Sequence, residues 1–240
     1  MRINDNCIDC RKCMDYCPVD AIKVVNKRVY IAEDECVECG VCKASGVCPT
    51  DALFQPDLDY PRVVRSEFSN PVVSHAHGST DLGGRGTAEM KTNDVTGRFK
   101  EDEAGVALEV GRPGVGTRLW EVEKIYKEIV RFGAEFEADN PVKALVADHK
   151  TGNFKKELLD QKVLSAIIEF KVPTDRLPDL LKLLDKISQG TTTIFSVCLV
   201  DKVSADGSMR NADIAKNLGY SVSLNGKFNV GLGRPRARVS

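Results

Sequence analysis

Eight of the nine cysteines fall within the first 49 residues, in two runs that share an unusual spacing. The first run is Cys7-x2-Cys10-x2-Cys13-x3-Cys17-Pro18, and the second is Cys36-x2-Cys39-x2-Cys42-x5-Cys48-Pro49. Thiolates at every third position of a short loop can wrap three corners of an iron–sulfur cubane. The cysteine before each proline can supply the fourth corner. The chemistry this implies is one-electron transfer, with no proton or nucleophile asked of the protein. Two rival readings fit less well. Disulfides belong to secreted chains, and Met1-Arg2-Ile3-Asn4-Asp5-Asn6 offers no apolar leader. Structural zinc sites pair one C-x2-C with a second pair further on, whereas each run here continues to a third cysteine at the same spacing. Cys198, outside both runs, stands in an apolar stretch and reads as a small core residue.

Residues 1–56 resemble the bacterial two-cluster [4Fe-4S] ferredoxins through the runs CIDCRKCMDYCPVDAI and CVECGVCKASGVCPTDAL. Each half also has the family's short tail after Cys-Pro, Val19-Asp20-Ala21-Ile22 and Thr50-Asp51-Ala52-Leu53. In that family the fourth cysteine of each run ligates the other cluster. The resemblance thus implies Cys7, Cys10, Cys13 and Cys48 on one [4Fe-4S] cluster, and Cys36, Cys39, Cys42 and Cys17 on the other. Such cross-ligation ties both ends of the module together, which a unit with so little core needs. It also implies low-potential electron transfer of the kind used in anaerobic metabolism. One departure matters. The family usually has three residues between the third and fourth cysteines, and the second run has five, Lys43-Ala44-Ser45-Gly46-Val47. No ligand is lost, so both sites are expected to be [4Fe-4S]. The extra residues beside the cluster that Cys48 joins predict that its potential differs from its twin's.

The elements that must hold these thiols are small. Ala21–Val25 and Arg28–Ile31 alternate around Asn26-Lys27, which predicts a hairpin between the runs. The module is mildly acidic before any cluster charge is counted. The whole chain has 240 residues, 42% of them hydrophobic and 29% charged, enough for two small soluble domains. Its net charge of −1 gives no field for nucleic acid. Apolar stretches stay under ten residues, so no membrane span is expected. Thiolate ligands need reducing surroundings, which makes the cytoplasm the expected setting.

Residues 57–104 form a Gly-rich polar connecting segment, either a linker or an ordered wrap that contacts a partner. His75 and His77 lack a thiol or carboxylate partner at metal-site spacing. Within this segment Arg85, Lys91, Asp94 and Arg98 are the side chains a substrate would use, if there were one. Exposed loop charge is their simpler reading.

Residues 105–203 carry a weak repeat. Strands at 105–110 and 166–173 are each followed by an amphipathic helix, the first with Val122, Ile125, Tyr126 and Ile129 on one face, the second with Leu177, Leu180, Leu181 and Leu184. Thr174 or Asp175 is expected to cap the second helix and Gly190 to end it. Residues 192–200 read as a strand, and a further strand lies at either 134–137 or 142–147. The fold class is therefore α+β: a dicluster module, then a split βαβ (βαββαβ plait-like) domain, by analogy with ACT-like modules. Gly111–Thr117 lies between strand and helix and reads as a structural turn rather than an anion site. Residues 204–240 predict a short helix over 211–218, a hairpin around Asn225-Gly226 and a basic tail of Arg234, Arg236 and Arg238.

Taken together, the sequence reads as the redox subunit of a larger oxidoreductase rather than a catalyst on its own. Its expected partner is a redox protein, a catalytic subunit or a second copy in a homodimer. Two alternatives are a redox- or metabolite-sensing regulator and a reductase with its own site in the Gly-rich segment. Against the last, no Ser/His/Asp or Cys/His set and no nucleotide fingerprint occurs.

Overall fold

The computed structural model describes residues 1–72, 97–112 and 114–223. The N-terminal module is two short two-stranded ribbons laced by cysteine loops. Strands β1 (Arg2–Ile3), β2 (Ile22–Val25) and β3 (Arg28–Ile31) precede helix α1 (Val41–Ala44) and strand β4 (Leu53–Phe54). β2 and β3 form the expected hairpin, with Asn26 and Lys27 both at positive φ in its turn. β1 pairs antiparallel with β4, closing the module end to end. Met1, Ala21, Ile22, Val29 and Leu53 form its core together with the cysteines.

Helix α2 (Val63–Ser69) then crosses to the second domain, and all but its first residue are buried. The start of the connecting segment is thus packed structure. The second domain contains β5 (Glu103–Val110), β6 (Thr117–Arg118), α3 (Leu119–Phe132), β7 (Glu135–Phe136), β8 (Val146–Asp148), β9 (Asn153–Phe154), β10 (Lys162–Val163), β11 (Ala166–Pro173), α4 (Leu177–Gln189), β12 (Phe195–Val200) and α5 (Arg210–Asn217). Its main sheet has the order β12-β5-β11-β7, antiparallel throughout. Strand alternation puts Val106, Leu108 and Val110 of β5 and Ile168, Phe170 and Val172 of β11 into one core. The apolar stripes of α3 and α4 fill the other side of that core, with all eight of their predicted residues buried. On the opposite sheet face Phe99, Ala107 and Ile167 form a separate cluster, and Cys198 packs against it as a small apolar residue.

One open alternative is decided and two local expectations are corrected. The uncertain strand is β7, only two residues long. Pro141–Leu145 is instead a 3-10 turn, because Asn140 accepts the Val142 N–H and Pro141 starts the turn without needing a donor. Neither Thr174 nor Asp175 caps α4: residues 174–176 make a 3-10 turn, and the Thr174 hydroxyl bonds Asn211 at 3.0 Å. Gly190 does end the helix. The hairpin around Asn225-Gly226, the basic tail, His75 and His77 lie outside the described residues.

The Gly111–Thr117 turn is structural. Gly111 N–H donates to Ile194 O, Val115 and Gly116 N–H both donate to Gly111 O, and β6 separates the turn from α3. Gly111 has φ +91°, and a Cβ there would lie 2.9 Å from the Leu164 carbonyl oxygen. Gly111→Ala is expected to destabilise the domain by at least about 1–2 kcal/mol, read as a lowered urea midpoint.

Candidate metal centre

The two cysteine runs fold as a repeat. Positive φ recurs at matched places: Asp9 and Glu38, Arg11 and Gly40, Asp20 and Asp51. Asp9, Arg11, Glu38 and Gly40 reverse the backbone between successive thiols, and Asp20 and Asp51 reverse it after each Cys-Pro pair. The five-residue spacer is accommodated locally. Where the first run has a 3-10 turn over Met14–Tyr16, the second has α1, ended by Gly46 at positive φ.

This folding gathers the eight thiols around two cavities. Cys7, Cys10, Cys13 and Cys48 line one, with Ile3, Arg11, Val29 and Leu53. Cys17, Cys36, Cys39 and Cys42 line another, with Ile22, Ile31 and Val37. Each cavity therefore holds three thiols of one run and the last thiol of the other. Among the described residues no three His, Cys, Asp or Glu side chains converge as a single metal ion would require. Thiols spread around an apolar-walled cavity fit a polynuclear cluster and do not fit one tetrahedral ion.

The electrostatics agree with metal ligation. Burial pushes the Cys42 thiol up to about 12 and also raises Cys39 and Cys13. Thiolates in such surroundings are stable only against a cationic group that takes the proton's place. Matched backbone donors point at the two crossing sulfurs: Ala21 N–H to Cys17 Sγ at 3.0 Å, and Ala52 N–H to Cys48 Sγ at 3.2 Å. At Cys48 burial acts upward, but N–H donors from Ala52, Thr50 and Leu53 outweigh it and hold the thiol below its usual value.

The two cavities differ in surroundings. The first opens to solvent, with Cys10 exposed and Ile8 61% exposed. Three thiols of the second are better buried: Cys36, Cys39 and Cys42 are 7, 9 and 7% exposed, while Cys17 is half-buried. Its neighbours come from the rest of the chain. Arg62 donates to Glu38 and to Glu33 O, and Arg65 donates to the carbonyls of Glu33, Asp34 and Cys36. Arg118 grips both oxygens of Asp34 and also meets Glu35, which Lys162 pairs with as well. Gly116 approaches Val19 so closely that a Cβ would stand 3.1 Å from its Cγ1. Sequence reasoning missed this docking surface. The acidic run Glu33-Asp34-Glu35 was its one visible sign.

Of the candidate substrate residues, Arg85, Lys91 and Asp94 lie outside the described residues. Arg98 is committed to ion pairs with Glu137 and Asp139. No helix among the described residues is long and apolar enough to cross a membrane.

The family model for a 4Fe-4S dicluster domain matches residues 6–52. A ferredoxin of Streptomyces griseus is 37% identical over 84 residues, 34% of this chain and 73% of that protein. A ferredoxin of Mycolicibacterium smegmatis is 35% identical over 88 residues, 36% of this chain and 76% of the relative. A protein of Hydrogenibacillus schlegelii named ferredoxin 7Fe is 39% identical over 58 residues, 23% of this chain and 72% of its own. No solved structure matches. With its paired cavities and these relatives, the chain belongs to the ferredoxin family through its N-terminal segment, a module for iron–sulfur electron transfer with two [4Fe-4S] clusters.

Proposed function

We propose that this protein is the ferredoxin-like redox subunit of a larger oxidoreductase. In this reading Cys7, Cys10, Cys13 and Cys48 hold the first [4Fe-4S] cluster, and Cys17, Cys36, Cys39 and Cys42 hold the second. The observation that carries the assignment is the make-up of the two cavities, each with three thiols of one run and one of the other. When bound, each cluster supplies one-electron storage with little change of geometry. The chain's own part is to bind through thiolate, to donate N–H groups of Ala21 and Ala52 to sulfur, and to exclude water from the second site.

The subunit role is supported by the size and attachment of the chain beyond the cluster-binding module. At most 36% of the chain aligns with the two ferredoxins from Streptomyces griseus and Mycolicibacterium smegmatis, and the remainder is anchored to the cluster-binding loops by Arg118 and Lys162. A freely diffusing carrier needs no such body. The exposed Ile8–Cys10 rim suits contact with an electron donor or acceptor, and the second domain suits attachment to a catalytic subunit or a second copy. We keep the division at 1–56, 57–104, 105–203 and 204–240. Strand order supports a plait-like reading of the second domain, and thiolate ligation supports a cytoplasmic setting.

Anaerobic iron and sulfide quantitation with EPR of the dithionite-reduced holoprotein tests the ligand reading. About eight irons with a coupled two-cluster signal are expected. About four irons, or zinc in their place, would overturn it. For the subunit role, reduced holoprotein should pass electrons to the oxidoreductase that co-purifies with it. A co-purified enzyme that accepts none sinks that role.

A further inference from the structure

The side chain of Arg65 differs from every other cation at the junction between the two parts of the chain. It is 4% exposed. Its Nη1 donates to three backbone carbonyls, Glu33 O at 3.0 Å, Asp34 O at 2.8 Å and Cys36 O at 2.9 Å, while Nε donates to Gln161 Oε1 at 2.7 Å. Carbonyl and amide oxygens satisfy the guanidinium without neutralising it. The nearest carboxylate oxygen, Asp34 Oδ1, is 3.7 Å from Nη2, and that side chain is 75% exposed and already gripped by Arg118. By contrast Arg62 is paired with Glu38, and Arg118 and Lys162 share Asp34 and Glu35. Arg65 thus places a positive charge, out of water and balanced only by the exposed Asp34 carboxylate it shares with Arg118, against the backbone of Cys36. At the first cavity the lining cation is Arg11, which is exposed to water and so screened, and Arg28, paired with Asp9, is 80% exposed.

We propose that Arg65 sets the reduction potential of the second cluster. The inference rests on the ligand reading above, in which Cys36 is a ligand of that cluster. Reduction adds one negative charge to a site whose thiols are buried, and burial alone opposes that charge. A fixed cation bonded to the backbone of one of its ligands, in a medium of low effective dielectric, would favour it. Arg65 therefore raises the potential of the second cluster above the value its burial would give. Because Arg65 belongs to α2, the coupling runs both ways: the factor by which it favours reduction is the factor by which reduction strengthens its hold on the Glu33–Cys36 loop. The charge state of the second cluster is thereby felt in the segment that leads to the second domain.

The test is a potentiometric titration of the full-length holoprotein, following each cluster through the shifted β-proton resonances of its own cysteines. Arg65→Gln is expected to lower the reduced-to-oxidised ratio of the second cluster about tenfold at a fixed potential, which for one electron is about 59 mV. Arg65→Lys keeps the charge and should keep most of the potential. Arg118→Gln removes an already paired cation from the same junction and should shift it by less than half as much. The first cluster should hold its potential in all three. Where Arg65→Gln fails to retain iron, Gln161→Glu neutralises the guanidinium in place and should give the same downward shift. An unchanged second potential in Arg65→Gln or Gln161→Glu at full iron content overturns the inference. So does an equal fall in Arg65→Gln and Arg65→Lys, or an equal fall at both clusters. Wild-type protein with about four irons would instead overturn the ligand reading itself, so the two failures are separable.

Discussion

Replacing Cys7 and Cys48 together by serine is expected to cost the holoprotein no more iron than replacing either alone. All three variants should retain about four irons of about eight. The reason is geometric. Cys7 opens the first run and Cys48 ends the second, yet both line one cavity. If each run instead held its own cluster, the two substitutions would strike different clusters and the double variant would lose nearly all its iron. The double variant Cys7→Ser with Cys39→Ser is the matching control, because those two thiols line different cavities and belong to different runs. It should lose nearly all iron under either scheme. Iron and sulfide content after anaerobic reconstitution decides the matter. A Cys7/Cys48 double variant stripped of iron, beside single variants that keep half, would replace crossed ligation by run-wise ligation.

The gathering of the thiols was legible because residue type and spacing repeat together in the two runs, and all eight stand around the two cavities. The two amphipathic helices were legible for a similar reason: Val122, Ile125, Tyr126 and Ile129, and the leucines of α4, repeat at the helical period and are all buried. The junction was not legible. Arg62 meets Glu38 across 24 positions, Arg65 meets Cys36 across 29 and Gln161 across 96, and Lys162 meets Glu35 across 127. Long-range pairing of charged side chains leaves no periodic trace. Glu38 is the sharpest case. A carboxylate between two ligand cysteines reads as exposed loop charge, and its partner at the matched place, Asp9, is indeed near the surface and bonded to Arg28 and the Val29 N–H. Glu38 is instead fully buried, because Arg62, Gln55 and the Met1 amino group surround it. The strand β7 stayed one of two alternatives because two residues carry no alternation, while most of the apolar 142–147 stretch is a turn set by Asn140 and Pro141 that leads into β8.

Phe170→Ala is expected to destabilise the second domain by about 3–5 kcal/mol, a large part of the roughly 5–15 kcal/mol that holds a domain folded. Phe170 is 1% exposed and lies mid-strand in β11, opposite Val106 on one side and Phe136 on the other. Its ring stands 6.0 Å from that of Phe136, which stacks on Tyr126 of α3 at 4.3 Å, so truncation opens the contact between sheet and helix as well as a cavity. The cluster-binding module has a core of its own around Met1, Ile22 and Leu53, which Phe170 does not enter. Iron content at room temperature should therefore match wild type, while the far-UV unfolding transition moves to lower urea. Whether the charge-transfer absorbance of the clusters moves with it measures the strength of the junction. Polar contacts around Arg65 and Arg118 are weaker than a shared apolar core, so two separate transitions are expected, the second domain melting first. A single coincident transition would mean that the junction binds both parts into one cooperative unit, and that the second domain shields the buried cluster for as long as it stays folded.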